Sequence, residues 1–193
     1  MGRTVSAKTK IISSKWRREH YQEATRRVKN RKIKKIVEKA EKNPLNSMDL
    51  NICLSKIPNF LGIFASDQVP LLHFVERPVF FIVNIDSVSE KGSHWIALRL
   101  GKSKLEIFDS LGFHTALWSN YPEKFINWLK VLSLTHKIFV SQLTQEQNTF
   151  ICGLYCIFFI IYRQFSTFSQ CCSQFSLDYA LNTRRLEMLL LNF

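Results

Sequence analysis

The chain has 193 residues, 46% of them hydrophobic, which is enough for one compact domain with a substantial core. Its formal net charge of +12 is concentrated at the amino end, where residues 1–42 hold 15 Lys and Arg against 4 Asp and Glu, a balance of +11. Its five cysteines lack CxxC spacing, which argues against a disulfide framework and against a metal site, and favours a reducing compartment.

The sequence also argues against a membrane protein. No apolar signal-peptide segment is found at the amino end. The longest apolar run, residues 151–162, is too short to span a bilayer. We therefore expect a soluble intracellular protein with no membrane partner.

Residues 1–43 form a basic extension, and residues 44–193 form a nearly neutral domain. A helix over residues 18–41 is expected, because apolar side chains recur at helical spacing on one face from residue 33 to residue 40. The basic run is typical of nucleic-acid binding, of a nuclear localisation signal, of an acidic partner, or of a solvated arm without any ligand. The candidate nucleic-acid-binding residues are Arg17, Arg18, Arg26, Arg27, Lys29, Arg31, Lys32, Lys34 and Lys35.

The domain reads as helix, strands, helix, strand and two helices, an α+β arrangement. A short helix over residues 45–57, with Met48, Ile52 and Cys53 facing inward, precedes a loop over residues 60–67. The later elements are strands at 79–85, 94–100 and 104–109, a helix at 122–134, a strand at 138–143, and helices at 152–165 and 177–191.

Cys152 is the candidate nucleophile because it begins a helix, where free N–H groups and the helix dipole favour a thiolate. Gly153 is expected to leave room for a substrate backbone above the sulfur. The competing interpretation is a buried, inert thiol, which is the usual state of cysteine beside aromatic residues. We assign that state to Cys53, Cys156, Cys171 and Cys172.

His94 opens a strand and Asp109 ends the next one. A hairpin through residues 101–103 brings both to the same sheet edge, where an aspartate can fix the tautomer of an imidazole base. Asp109 also fits the first position of an ordinary Asp-Ser-Leu-Gly turn. In the loop before Cys152, the amide of Gln145 or of Gln147 is a candidate donor to an oxyanion.

Four segments carry a resemblance to a known family. They are Gly92-Ser93-His94-Trp95, residues 105–112 around Phe108-Asp109-Ser110, Gln145 with Asn148, and Cys152-Gly153-Leu154-Tyr155-Cys156. Together they resemble the adenovirus-type (adenain-like) cysteine endopeptidases. Close to these are the proteases of adenovirus-like viruses and of self-synthesising Maverick/Polinton DNA transposons, and related to them are the proteases of ubiquitin-like modifiers.

The resemblance implies a papain-like fold of the adenain/SUMO-protease type, with a central, mostly antiparallel sheet and the nucleophile at a helix N-terminus. It implies Cys152 as nucleophile, His94 as base, Asp109 as its orienter and Gln145 as oxyanion donor, since Gln145 stands seven residues before the cysteine. Gln147 is the alternative donor. A preference for small residues, such as Gly-Gly or Gly-x-Gly, before the cut is also implied.

We therefore predict a thiol endopeptidase that cleaves a capsid or polyprotein precursor of a virus or transposon. The alternatives are a protease of small modifiers, such as a deubiquitinase or deSUMOylase, and a nucleic-acid-binding protein with a degenerate protease domain. We expect a monomer in the host nucleus or the virion. The sequence requires no cofactor, while DNA is a possible activator that would bind residues 1–43.

Overall fold

A computed structural model describes residues 31–72, 75–112 and 121–192, without the side chain of Arg31. Its helices and strands follow one another in the order expected for an α+β protein. In chain order they are α1 (Arg31–Ala40), α2 (Ser47–Leu54), β1 (Phe60–Ala65), β2 (Val79–Asn84), β3 (Trp95–Leu100), β4 (Lys104–Phe108), α3 (Glu123–Ser133), β5 (Lys137–Val140), α4 (Cys152–Tyr162), α5 (Phe168–Cys172) and α6 (Tyr179–Leu191).

The five strands form one mixed sheet in the order β1-β2-β3-β4-β5. The two central pairings, β2–β3 and β3–β4, are antiparallel, which is half of the four pairings rather than most of them. The outer pairings, β1–β2 and β4–β5, are parallel. Each outer strand can run parallel to its neighbour because a long connection returns the chain to the end of the sheet where the preceding strand began. Between β4 and β5 this connection includes α3.

The expectation of a loop over residues 60–67 was wrong, because β1 occupies most of that segment. Gly62 has φ +138, and the register between β1 and β2 shifts between Phe60 and Gly62. Such an irregularity is a β-bulge, for which glycine is suited. A glycine that interrupts an apolar run therefore marks a bulged edge strand here.

Alternation along the strands divides the core between the two faces of the sheet. One face carries Ile82 and Ala97 and packs on α1, α2, α4 and α6, whereas the other carries Phe81 and Leu98 and packs on α3. Helix α4 lies on the first face and is apolar all round, with its first ten residues buried. A helix of that composition is stable only inside the protein, so α4 forms the centre of the domain.

The boundary placed at residue 43 does not match the packing of α1. Its apolar face is buried in the same core as α4, through Ile33, Ile36, Val37 and Ala40. Burial of each large apolar side chain contributes about 1.5–3 kcal/mol, so α1 is part of the folded domain. The division of the chain stays a prediction for residues 1–30, which lie outside the described residues.

Helix α2 turns inward a face that shares only Cys53 with the one expected. Asp49, Leu50, Cys53 and Leu54 are buried, whereas Met48 and Ile52 are exposed. The reason is the cap: Asn46 and Asp49 form a reciprocal capping box, and Lys39 of α1 binds Asp49 at 2.7 Å, which holds the Asp49 side toward α1. In the described residues, no helix has the length and apolar character needed to cross a membrane.

Candidate active site

His94 and Asp109 meet at one edge of the sheet, where β3 begins and β4 ends. The hairpin pairing of Ala97 with Phe108 brings these two strand ends together. His94 Nε2 lies 2.7 Å from Asp109 Oδ1, with both side chains buried. The Cys152 side chain interacts with the same imidazole, so the structure brings His94, Asp109 and Cys152 into one cluster.

The electrostatics of this cluster favour a charged imidazole. Burial alone lowers the pKa of His94, because it removes water from the imidazolium. Hydrogen bonds to Asp109 and Cys152, with the negative charges of those groups, outweigh burial and raise the pKa from 6.5 to about 10. The imidazole of this cluster is therefore charged at neutral pH.

Asp109 is fixed on every side. Its Oδ1 also accepts from the backbone N–H of Leu111 at 2.9 Å, and its Oδ2 accepts from the Tyr121 hydroxyl at 2.7 Å. Ser141, just past β5, accepts from the Asp109 N–H and donates to the Asp109 carbonyl. Asp109 also begins a turn closed by Gly112 N–H, so the turn and the contact with His94 coexist.

Cys152 is the first residue of α4. The preceding residue, Ile151, provides no side-chain cap for the helix, so the positive end of the helix dipole faces the region of the thiol. Burial raises the pKa of Cys53 and Cys171 to about 12 and of Cys172 to about 11, and it raises the pKa of Cys156 well above its usual value. The four other cysteines are therefore poor nucleophiles.

Gly153 does not have the expected role of leaving room for a substrate. A Cβ built on it would lie 3.1 Å from the side chain of Leu45 and 3.3 Å from that of Leu50. Gly153 thus allows α4 to pack closely against the segment that leads into α2. Trp95 reinforces this packing, because its Nε1–H donates to the Leu45 carbonyl at 2.7 Å.

Gln145 and Gln147 lie in different environments. Gln145 is buried, its Oε1 accepts from the Ser110 hydroxyl at 2.6 Å, and its Nε2 donates to Thr149 at 2.9 and 3.0 Å. Gln147 is exposed. Only Gln145 has a side chain whose position is fixed, as a preorganised oxyanion donor requires.

The loop that carries Gln145 is held by parts of the chain that sequence analysis did not single out. The Thr144 carbonyl accepts from Tyr155 of α4 and from Asn182 of α6, each at 2.9 Å. Ser110 lies inside a recognised motif and could have been considered. Tyr121, Ser141 and Asn182 carry no sequence signal, because only the fold brings them near the site.

The candidate nucleic-acid-binding residues are only partly described. Lys32, Lys34 and Lys35 are exposed on the side of α1 opposite its buried face. Arg17, Arg18, Arg26, Arg27, Lys29 and the side chain of Arg31 lie outside the described residues. Within the described ranges, no three or more His, Cys, Asp or Glu side chains are grouped so that they could hold a metal ion.

Known structures resemble this fold at low sequence identity. The ASFV pS273R protease matches with a TM-score of 0.50 and 17% identity, over 77% of this chain and 69% of that chain. SUMO protease Ulp1, with its catalytic cysteine oxidised to a sulfinic acid, matches with a TM-score of 0.44 and 15% identity, over 91% and 94%. The first match shows a shared fold alone, and the TM-score of the second is too low to support an inference.

Sequence comparison identifies the family. A search of curated proteins gave no match. The family model for the adenovirus endoprotease matches residues 60–181, which is more than half of the chain and spans all five strands, His94, Asp109 and Cys152. Both the expected fold class and the expected cysteine endopeptidase activity are confirmed. The chain belongs to the adenovirus endoprotease family and is a cysteine endopeptidase.

Proposed function

We propose that this enzyme cleaves structural precursor proteins of a virus or transposon, with Cys152 as nucleophile, His94 as base, Asp109 as orienter and Gln145 as oxyanion donor. The observation that carries the proposal is the buried contact of 2.7 Å between His94 and Asp109, with Cys152 interacting with the same imidazole. We further propose that it acts as a monomer in the host nucleus or the virion.

The contact with Asp109 decides which nitrogen of His94 can accept a proton from Cys152. Asp109 takes Nε2 of His94, so Nδ1 is the atom available to remove the proton from the Cys152 thiol. The thiolate attacks the substrate carbonyl, and His94 returns the proton to the leaving amine. Water, activated by the same imidazole, then hydrolyses the acyl-enzyme. Asp109 stabilises the imidazolium in each step in which His94 carries the proton.

The oxyanion formed by this attack needs hydrogen-bond donors. The backbone N–H of Cys152, at the uncapped start of α4, is one, and the amide of Gln145 is the other. Thr149 accepts from Nε2 through both its carbonyl and its hydroxyl. An amide nitrogen has two hydrogens, so the oxyanion can replace the Thr149 hydroxyl as the acceptor of one while the Thr149 carbonyl keeps the other. Gln147 is the weaker candidate because it is exposed.

The substrate is tested with two proteins of different class. The purified full chain is incubated with a capsid precursor of an adenovirus-like virus and, separately, with a ubiquitin-type fusion. We expect the parent enzyme to cleave only the capsid precursor, and we expect Cys152→Ala to cleave neither protein. Cleavage of the fusion alone would establish the alternative of a modifier protease. If neither is cut and Cys152 is no more reactive than Cys53, the degenerate-domain alternative holds.

We also propose that DNA binds the basic amino-terminal region and acts as an activator. The supporting observation is that Lys32, Lys34 and Lys35 are exposed on α1 while the opposite face is buried, so α1 presents positive charge from a fixed platform. Lysines in such an arrangement neutralise phosphates and release counterions, which makes the affinity dependent on salt.

Deleting residues 1–43 would not test DNA binding cleanly, because it also removes the buried face of α1. The better variant changes Lys32, Lys34 and Lys35 to Gln, with Lys102, Lys104 and Lys137 changed to Gln as the control. We expect the first variant to lower the slope of log affinity against log salt by about 0.9 per lost phosphate contact. Equal slopes for both variants and the parent would contradict a role for α1.

A further inference from the structure

We propose that Ser110 is a positioning residue for the oxyanion donor: its hydroxyl holds the oxygen end of the Gln145 amide, so that the nitrogen end is the one left to donate. The inference rests on the proposed function, because it assigns the amide of Gln145 to the oxyanion. It adds a residue that acts on catalysis only through Gln145.

The hydrogen bonds of the Gln145 amide show which of its two terminal atoms is the nitrogen and which is the oxygen. A carbonyl accepts and never donates, so the amide atom that faces the Thr149 carbonyl at 2.9 Å must be the nitrogen. The amide oxygen is therefore the atom that meets Ser110 Oγ at 2.6 Å, and the serine is the donor. Without that donor, nothing on the oxygen side among the described contacts would hold the amide in this orientation.

Ser110 also fixes the backbone of the donor. Its carbonyl accepts from the N–H of Thr144 at 2.8 Å and from the N–H of Gln145 at 2.9 Å. One residue thus holds the main chain and the side chain of Gln145 at the same time. Both residues have only 1% of their surface exposed, so no bulk water is available to replace the serine hydroxyl.

The location of Ser110 separates its role from that of its neighbour. Asp109 faces His94, and Ser110 faces Gln145, from consecutive positions of one turn. Removing the serine hydroxyl leaves every described bond of the Asp109 carboxylate in place. The change should therefore weaken stabilisation of the oxyanion without altering the contacts that raise the pKa of His94.

The test uses the full chain and a fluorogenic peptide that ends in Gly-Gly-aminomethylcoumarin. For Ser110→Ala we expect kcat to fall about 5- to 20-fold, in line with the loss of one buried hydrogen bond, with KM unchanged. Ser110→Thr keeps a hydroxyl and should recover most of the lost rate. Ser110→Ala added to Gln145→Ala should lower kcat no further, because both changes remove the same interaction.

Two measurements guard against a purely structural effect. The rate of Cys152 alkylation requires no oxyanion donor and should be the same in Ser110→Ala as in the parent, and the acid limb of the kcat/KM profile should not move. A parental kcat in Ser110→Ala, an additive double variant, slower alkylation or a shifted acid limb would each overturn the inference. An unaffected Gln145→Ala variant would instead remove the oxyanion assignment and this inference with it, while cleavage by Cys152 would stand.

Discussion

Asp109 and Ser110 are consecutive residues, yet they hold opposite sides of the candidate active site. Asp109 accepts from His94 at 2.7 Å, and Ser110 donates to Gln145 at 2.6 Å. The turn that contains them is closed by the bond from Gly112 N–H to the Asp109 carbonyl, and Ser141 clamps its first residue. His94 and Gln145 therefore share one rigid support, so a shift of this turn would affect both.

Alkylation should distinguish Cys152 from the other four cysteines. At about pH 6, iodoacetamide should modify Cys152 and leave Cys53 and Cys171 unmodified, because burial raises the pKa of those two thiols to about 12. Peptide mass spectrometry gives the rate at each site. The selective reaction should be lost in His94→Ala, and equal rates at Cys152 and Cys53 would contradict an activated thiol.

The stability of the protein should fall as pH rises above neutrality. The folded-state pKa of His94, about 10, exceeds its ordinary value of 6.5. The folded state therefore binds the His94 proton more tightly than the unfolded state does, which stabilises the fold. This contribution to the free energy of unfolding is fully present below pH 6.5, declines above it by at most about 1.4 kcal/mol per pH unit, and is lost by about pH 10. Urea unfolding from pH 6 to pH 10 measures the decline, which Asp109→Asn should reduce. An identical slope in that variant would show that Asp109 does not hold the proton on His94.

Removing the Tyr121 hydroxyl should weaken the site without dismantling it. Asp109 Oδ2 accepts from this hydroxyl at 2.7 Å, and a hydrogen bond to a carboxylate contributes about 1.5–3 kcal/mol. Tyr121→Phe should lower the free energy of unfolding by roughly that amount and reduce kcat several-fold. Tyr179→Phe, on α6, is the matched control. A Tyr121→Phe enzyme with parental kcat and stability would show that the bond to His94 suffices to place Asp109.

The glycine before His94 should tolerate no side chain. Gly92 has φ +82, and a Cβ there would lie 2.2 Å from Asn84 Nδ2, so Gly92→Ala should lower the free energy of unfolding by about 1–3 kcal/mol. Because Gly92 is only two residues before His94, kcat should fall as well. Thermal unfolding and peptide cleavage measure both effects.

Gly101 provides the control for the Gly92 substitution. It lies in the β3–β4 turn, and a Cβ there would meet its nearest atoms at the ordinary distances of 3.7 and 3.8 Å. Gly101→Ala should therefore behave as the parent enzyme does. A loss of stability as large in Gly101→Ala as in Gly92→Ala would show that the contact with Asn84 is not the cause.

Regular patterns in the sequence were sufficient to place the central elements. The dense apolar run of β2 and the hairpin of β3 and β4 appear in the structure with bounds within a few residues of those expected. The apolar face expected at residues 33–40 is the buried face of α1, while the expected start of that helix at residue 18 lies outside the described residues. The bulged strand β1 was missed, because Gly62 breaks the period-two pattern that identifies a strand. The inward face of α2 was misassigned, because its capping box and Lys39 turn a charged residue, Asp49, toward the core.

The sequence by itself determined the chemistry, since the kinds and order of the residues in four short segments indicated a cysteine endopeptidase and its family. It also predicted the contact of His94 with Asp109, because a tight hairpin places the start of its first strand beside the end of its second strand. Only the tertiary structure decided that Gly153 serves packing against Leu45, and that Tyr121, Ser141 and Asn182 support the site. Those contacts join residues that are distant in sequence. They arise from the pairing of strands and from the packing of α4 and α6, and no local sequence pattern predicts either.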